Sequence, residues 1–217
     1  MFITLGTPYT TNDLNIPSRK LKADQRSRIK ILFIDDEEFM YINELRNSGF
    51  NITHYNDIPD LNAVNAFPII ISDIKGVGKA FKSPQEGAYL IRELRKTYPL
   101  KVIAAYTGQT HDIGINSYLD GVYIIKKDIL VDDWCTEIDT LIKKATDPQE
   151  TWKKIRDLLI NEGVPLLSLV KLENEYVDRI LNKHGNFHGF PSSDKKLKLS
   201  SDIRGIIQSL IAGIILS

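Results

Sequence analysis

The sequence predicts an α/β protein with five parallel strands in a doubly wound sheet, followed by an all-helical C-terminal extension. Three observations lead to this prediction. The runs IKILFI, PIIIS and KVIAAY are continuously apolar, which is typical of strands covered on both faces. Amphipathic helical patterns separate the runs, which favours parallel strands joined by right-handed crossovers. After Pro148 the strand-like runs stop and only helical periodicity remains.

Residues that typically begin or end helices mark the limits of the helical patterns between the predicted strands. The helix after the first strand ends at Gly49, a residue that suits the position after a C-cap. The next helical pattern opens with Ser83 and Pro84 and stops before Pro99. The last pattern of this part ends with two lysines, which complement the helix dipole. The strands are therefore expected at residues 29–35, 50–55, 68–73, 101–107 and 121–126.

The change in periodicity divides the chain into three parts. Residues 1–27 are polar and aperiodic, and we expect an N-terminal extension that is partly ordered at best. Residues 28–146 form the sheet domain, and residues 147–217 form a helical output or dimerisation region. The helical region is predicted as a hairpin, a linker and a final amphipathic helix. The apolar stripe of that helix consists of Ile203, Ile206, Ile207, Leu210, Ile211, Ile214 and Ile215.

The apolar stripe needs a cover, because a short helix is marginal in water without packing. The hairpin, a second subunit and a different protein are the three candidates. We favour a homodimer through the C-terminal helices, because a two-helix hairpin offers little core and symmetric pairing would cover both surfaces. A membrane-surface role is less favoured, since Arg204 is the single basic residue in the stretch.

Composition excludes several classes of protein. The chain has 217 residues, of which 42% are hydrophobic and 26% are charged, as in ordinary globular proteins. Basic and acidic residues number 28 each, and no clustered basic face indicates nucleic-acid binding. Cys135 is the single cysteine, so no intrachain disulfide can form. Without a signal-peptide pattern or an apolar run of about 18 residues, we expect a cytoplasmic protein with no membrane span.

Polar side chains end four of the five predicted strands. Asp35 and Asp36 follow the first strand, Asp73 ends the third, Thr107 ends the fourth and Lys126 ends the fifth. The carboxyl ends of parallel strands meet at one edge, where open α/β sheets bind ligands. Three carboxylates, a hydroxyl and an ammonium at this edge predict a hard-cation site beside a phosphate cradle.

Residues 28–146 resemble the receiver domain of bacterial two-component response regulators, which has the CheY-like, flavodoxin-like fold. The resemblance rests on the acidic pair after the first strand, Asp73, Thr107 and the sequence Tyr-Ile-Ile-Lys that ends at Lys126. It implies the strand order 2-1-3-4-5. It also implies that a sensor histidine kinase or a phosphotransfer protein is the partner.

The resemblance implies a Mg²⁺ site. Asp36 and Asp73 would bind the ion directly, together with the backbone carbonyl of Lys75, while Asp35 would hold it through water. Mg²⁺ prefers a few carboxylates plus water, and this ligand set agrees with that preference.

The resemblance also implies roles in phosphoryl transfer and signalling. Asp73 would be the phosphoacceptor, and Lys126 would pair with the phosphoryl oxygens. Thr107 would donate its hydroxyl to the bound phosphoryl group, and Tyr123 would be the aromatic switch that follows Thr107. A cation and an ammonium would offset the repulsion between a carboxylate nucleophile and an anionic phosphate.

Two features depart from the family pattern. Gly87 lies 14 residues after Asp73, which is several more than expected, and the intervening loop contains the glycine-rich sequence KGVGKAF. Lys127 occupies the position at which receivers commonly have a proline after the lysine.

Two other functions stay open at this stage. A degenerate receiver would act as a constitutive protein-interaction module. A phosphohydrolase with an aspartate nucleophile is the less favoured alternative, because that family needs Asp-x-Asp after the first strand and here the aspartates are adjacent. Adjacent aspartates also cap helices, which is the simplest non-catalytic explanation of the pair.

Overall fold

The computed structural model describes residues 8–14, 23–108, 113–182, 186–191, 199–201, 203–205, 207–208 and 211. The described residues fall into two compact units. The sheet unit lies within residues 21–145, and the helical unit combines residues from 1–20 with residues from 146–217. The N-terminal residues 8–14 therefore group with the C-terminal helices rather than forming a separate extension.

The sheet unit contains five parallel strands in the order β2-β1-β3-β4-β5, which confirms the predicted fold class. This order is the one found in flavodoxin-like sheets. The strands pair in register along the sheet, so that Asp73 at the end of β3 lies opposite Tyr106 of β4. The strands are β1 (Lys30–Ile34), β2 (Asn51–Tyr55), β3 (Ile69–Asp73), β4 (Val102–Thr107) and β5 (Tyr123–Lys126).

Within the described residues, α-helices lie between β1 and β2, between β3 and β4, and between β4 and β5. A short 3-10 turn at Leu61–Val64 lies between β2 and β3, and a second one at Lys79–Phe81 precedes the helix between β3 and β4. The helices of this unit are α1 (Ala23–Arg28), α2 (Ile42–Asn47), α3 (Glu86–Thr97), α4 (Ile113–Asn116) and α5 (Val131–Thr146).

Strand alternation gives the sheet two separate cores. On one face, which we call the site face, alternate strand residues such as Phe33, Ile71 and Ala104 pack with residues of α2 and α5. On the opposite face, the intervening strand residues, such as Ile70 and Ala105, pack with residues of α3. Since successive side chains point to opposite faces, a shift of one residue at a strand end moves a polar group from one core to the other.

The helical unit is built on a hairpin of α6 (Pro148–Asn161) and α7 (Leu166–Leu181). Asp147 caps α6 by accepting hydrogen bonds from the backbone N–H groups of Gln149 and Glu150, and Pro148 occupies the first turn. The N-terminal segment joins this unit through the Gln149 side chain, which donates to the backbone carbonyls of Thr11 and Leu14, each at 3.0 Å.

The described members of the predicted apolar stripe are buried by the chain itself. Ile203, Ile207 and Ile211 belong to the same core cluster as Trp152 and Tyr176 of the hairpin. The reason for favouring a homodimer, an uncovered stripe, therefore does not hold for these three residues, and dimerisation stays an untested prediction. The remaining members, Ile206, Leu210, Ile214 and Ile215, lie outside the described residues.

The part of the chain that the structure describes contains no helix long and apolar enough to cross a membrane.

Candidate functional site

Three carboxylates converge at the carboxyl edge of the sheet, as the sequence predicts. One oxygen from each of Asp35, Asp36 and Asp73 lies within 4.8 Å of the others. Asp35 and Asp73 are buried, whereas Asp36 is exposed. Carboxylates this close repel one another, and a divalent cation relieves that repulsion. The oxygen donor set fits Mg²⁺, which prefers carboxylate and water ligands.

Asp73 is held by hydrogen bonds to both of its carboxylate oxygens. It ends the central strand β3, which is paired with β1 on one side and β4 on the other. Its Oδ1 accepts a hydrogen bond from the backbone N–H of Ile74 at 2.6 Å, and its Oδ2 lies 2.7 Å from Nζ of Lys127. These two bonds fix the orientation of the Asp73 carboxylate at the end of β3.

The ammonium that lies beside Asp73 belongs to Lys127. The resemblance implied Lys126 at this position, and that expectation is wrong. The strand register explains the difference. Asp73 lies opposite Tyr106, Tyr106 lies opposite Ile125, and Lys127 follows Ile125 by two residues on the same face. Lys126 has the opposite parity and is exposed. The residue that replaces the family's proline therefore supplies the ammonium.

Lys127 contacts two of the three carboxylates. In addition to Asp73, its Nζ lies 3.3 Å from Oδ2 of Asp35. Burial alone would lower the pKa of Lys127, but the hydrogen bond to Asp73 and the charges of both aspartates raise it above the ordinary lysine value. The ammonium is therefore charged at neutral pH and offsets part of the negative charge of the cluster.

Tyr106 is a site residue that sequence reasoning missed. Its hydroxyl donates a hydrogen bond to Oδ2 of Asp35, and Lys127 Nζ lies 4.7 Å from the centre of its ring. Burial, followed by the hydrogen bond to Asp35, raises the pKa of the Tyr106 phenol well above its ordinary value, so the hydroxyl stays a donor. The register of β3 and β4, which places Tyr106 opposite Asp73, is the feature that indicates its place at the site. Its ring packs at 5.7–5.8 Å between centroids against Phe33, Phe39 and Trp134.

The acidic pair does not cap a long helix. Asp35 Oδ1 accepts a hydrogen bond from the backbone N–H of Glu37 at 3.1 Å, but α2 begins only at Ile42. The backbone carbonyl of Asp35 lies 3.0 Å from Nε2 of His54 on β2. The pair therefore occupies a short turn at the sheet edge, between the end of β1 and the start of the helix.

Thr107 and Tyr123 are positioned differently from the residues that contact Asp73. Thr107 ends β4 opposite Lys126 and is half-buried, with the strand parity of the opposite face. The Tyr123 hydroxyl donates to Glu137 of α5, and Lys144 Nζ lies 3.8 Å from the centre of its ring. Burial, followed by the bond to Glu137, raises the pKa of Tyr123 to about 12. The roles of both residues in switching stay predictions.

The glycine-rich loop after Asp73 lies directly against Asp36. Gly76 has a φ of +75°, and a Cβ added there would lie 2.2 Å from the Asp36 carboxylate. The Gly76 backbone N–H donates to Glu86 Oε2 at 2.9 Å. Gly76 therefore allows a close approach to Asp36, in a backbone conformation that favours glycine. Lys75 precedes it and is exposed, and the role of its backbone carbonyl as a ligand stays a prediction.

The same loop brings a lysine close to Asp36, the exposed aspartate of the cluster. Asp57 accepts hydrogen bonds from the backbone N–H groups of Gly78 at 2.7 Å and Lys79 at 3.0 Å. These bonds place Lys79 at the site, where its Nζ lies 3.3 Å from Oδ2 of Asp36. The loop that departs from the family pattern is therefore anchored, and it contributes a charge to the cluster.

The chain has likenesses among solved structures. No protein-family model matches the chain, and no curated protein matches it. Vibrio cholerae chemotaxis protein CheY4 is 17% identical over 52% of this chain and 98% of that chain, with a TM-score of 0.43. A receiver domain protein from Clostridium thermocellum is 22% identical over 54% of this chain and 95% of that chain, with a TM-score of 0.42. Full-length FixJ from B. japonicum is 15% identical over 87% of this chain and 90% of that chain, with a TM-score of 0.47.

Of these three solved structures, the one from Clostridium thermocellum is described as a response regulator receiver domain. At identities of 15–22% the likeness concerns the fold alone. The chemistry of the site is therefore inferred from its own side chains.

Proposed function

We propose that this chain is a two-component response regulator in which Asp73 accepts a phosphoryl group in a Mg²⁺-dependent reaction. The observation that carries the proposal is the arrangement around Asp73, a buried carboxylate with two further aspartates nearby and an ammonium at 2.7 Å. The donor is a sensor histidine kinase or a phosphotransfer protein. The chain acts as a phosphoacceptor in signalling rather than as an enzyme with turnover on a separate substrate.

The reaction is an in-line displacement at phosphorus. An Asp73 carboxylate oxygen forms the new P–O bond while the bond between phosphorus and the donor's imidazole nitrogen breaks, and the leaving imidazole takes a proton. Lys127 stabilises the negative charge on the transferred group, because its ammonium already lies at the nucleophile. In this proposal Lys127 takes the role that the resemblance implies for Lys126.

The residues present fit a Mg²⁺ ion. Asp36 and Asp73 would hold it directly, with the backbone carbonyl of Lys75, and Asp35 would hold it through water. When bound, the ion supplies positive charge that neutralises the phosphoryl oxygens and the crowded carboxylates. Asp36 is the exposed member of the set and gives a hydrated ion access to the cluster.

The proposed output runs through the sheet edge to the helical region. Thr107 would donate to the phosphoryl group, and Tyr123 would respond by changing its contact with Glu137 on α5, which shifts the population between two states. The C-terminal helical region would carry the signal to a partner. A reducing, cytoplasmic setting belongs to the proposal and agrees with the single cysteine.

Phosphorylation with a small phosphodonor tests the proposal. The 217-residue chain is incubated with acetyl phosphate and Mg²⁺, and intact mass is measured before and after treatment with hydroxylamine, which cleaves acyl phosphates. We expect one phosphoryl group, which Asp73→Asn abolishes. The matched control is Asp60→Asn, because this exposed aspartate caps a 3-10 turn and asparagine preserves the cap.

Three results would contradict the proposed function. Labelling that persists in Asp73→Asn would place the phosphoacceptor elsewhere. If neither acetyl phosphate nor phosphoramidate labels the wild-type protein, the chain is a phosphate-independent interaction module. Continuous release of phosphate from small esters would instead indicate the phosphohydrolase.

A further inference from the structure

We propose that Tyr106 is a positioning residue that leaves Asp35 only one oxygen for a cation and thereby sets a preference for Mg²⁺ over Ca²⁺. This inference rests on the proposed cation site and adds a determinant of its selectivity. Tyr106 lies on β4 and does not belong to the carboxylate cluster itself.

The two carboxylate oxygens of Asp35 receive different numbers of protein hydrogen-bond donors. Oδ2 accepts from the Tyr106 hydroxyl and lies 3.3 Å from Lys127 Nζ, whereas Oδ1 accepts only from the Glu37 backbone N–H at 3.1 Å among the bonds that the structure describes. Each carboxylate oxygen offers about two lone-pair sites. Oδ2 is therefore filled by protein donors, while Oδ1 keeps one site for a cation or for a water molecule that the cation holds.

Tyr106 is fixed in place, so its donor cannot easily withdraw. Its side chain is fully buried, and its ring contacts three other aromatic side chains of the site face. A rigid donor thus competes permanently for Oδ2 of Asp35.

Mg²⁺ and Ca²⁺ respond differently to such a restriction. Mg²⁺ demands a small octahedral shell and keeps several waters, so one carboxylate oxygen is sufficient. Ca²⁺ takes six to eight oxygen ligands and often binds carboxylates through both oxygens. Blocking Oδ2 therefore removes a ligand that Ca²⁺ would use and Mg²⁺ would not.

A purely structural role for Tyr106 makes a different prediction. If its hydroxyl only satisfied a buried carboxylate, its removal would loosen Asp35 and change the affinity for both cations by a similar factor. The ratio of the two affinities therefore separates positioning from simple structural support.

The experiment compares wild-type protein with Tyr106→Phe by isothermal titration with Mg²⁺ and with Ca²⁺ separately. We expect the Ca²⁺ affinity to rise relative to that for Mg²⁺ by roughly fivefold or more, because Oδ2 becomes available to the larger ion. Tyr98→Phe is the matched control, since it removes another tyrosine hydroxyl of the sheet unit, one that donates to the carbonyl of Leu61 at 3.0 Å. It should leave the ratio unchanged.

A second variant keeps the test decisive. Replacing Tyr106 by 4-aminophenylalanine retains a donor at the same end of the ring and should restore the wild-type ratio. If Tyr106→Phe leaves the ratio of the Ca²⁺ and Mg²⁺ affinities unchanged, whether or not the affinities themselves change, the inference is overturned and the proposed function stays intact. If wild-type protein binds neither cation, the proposed cation site fails and this inference fails with it.

Discussion

The two faces of the sheet end differently at its carboxyl edge. On the site face, the last residues are Asp73, Tyr106 and Lys127, which contact one another or the shared neighbour Asp35. On the opposite face, strand parity places Thr107 and Lys126, and Lys126 is exposed. Polar residues that are adjacent in the sequence therefore have different environments. A polar residue at the end of an apolar run does not lie at the carboxylate cluster unless its side chain is on the site face.

The difference follows from what covers each face. On the site face, the buried aromatic residues Phe33, Phe39, Tyr106 and Trp134 form one cluster. The hydroxyl of Tyr106 contacts Asp35, and both Asp35 and Asp73 are buried. Charges in such surroundings interact more strongly than charges at the surface. We therefore expect a large effect from a change at Lys127 on the site face and a small one from a change at Lys126 on the opposite face.

The largest expected effect comes from the adjacent lysines. Lys127→Met should lower the rate of phosphorylation by roughly 100-fold or more, because it removes the ammonium beside the nucleophile. Lys126→Met is the matched control and should keep the rate within roughly twofold of wild type, as expected for an exposed charge. Rates are measured by intact mass at fixed acetyl phosphate and Mg²⁺.

The opposite pattern of rates would contradict this prediction. If Lys126→Met were the slow variant and Lys127→Met were nearly normal, the family pattern would assign the lysine better than the strand register does. The melting temperature of each variant shows whether a slow rate reflects chemistry or loss of folding.

The fold could be predicted from the sequence because its main signals are local. Continuous apolar runs, their helical spacers and the loss of strand patterns after Pro148 identify the sheet, and the structure confirms five parallel strands in the order 2-1-3-4-5. The convergence of Asp35, Asp36 and Asp73 could also be predicted, since each follows a strand end at the same edge.

The remaining site residues depend on information that the motif does not contain. The choice between Lys126 and Lys127 depends on the register of β4 and β5, which the alternation of buried residues encodes but the family pattern obscures. Tyr106 resembles an ordinary core residue in the sequence, since tyrosine is common in buried strands. Lys79 lies far along an irregular loop, and only the bonds from Asp57 bring it to the site.

An intermediate effect is expected from the cation. Millimolar Mg²⁺ should raise the melting temperature of wild-type protein by a few degrees, because an ion held at roughly ten times its Kd adds about 1.4 kcal/mol to the free energy of unfolding. Asp36→Ala should lose that response, since it removes a proposed direct ligand. Differential scanning calorimetry with and without a chelator measures both.

The control for this prediction is Glu38→Ala, which removes another exposed carboxylate two residues away. It should keep the full Mg²⁺ response. Equal responses in wild type and Asp36→Ala would mean that the acidic pair serves the turn after β1 rather than a cation.

We expect the weakest effect from replacing Lys79, which approaches the same carboxylates from the glycine-rich loop rather than from a strand end. Its ammonium lies 3.3 Å from Asp36 Oδ2, where it competes with a cation for a proposed ligand. Both side chains are largely exposed, at 63% for Lys79 and 38% for Asp36, so the pair is screened by water. Lys79→Met should therefore tighten Mg²⁺ binding only about two- to fivefold, as expected for a surface ion pair. Lys82→Met, an exposed lysine of the same loop, should leave the Mg²⁺ affinity unchanged. If Lys79→Met weakens Mg²⁺ binding instead, Lys79 supports the loop against Asp36 and does not compete with the ion.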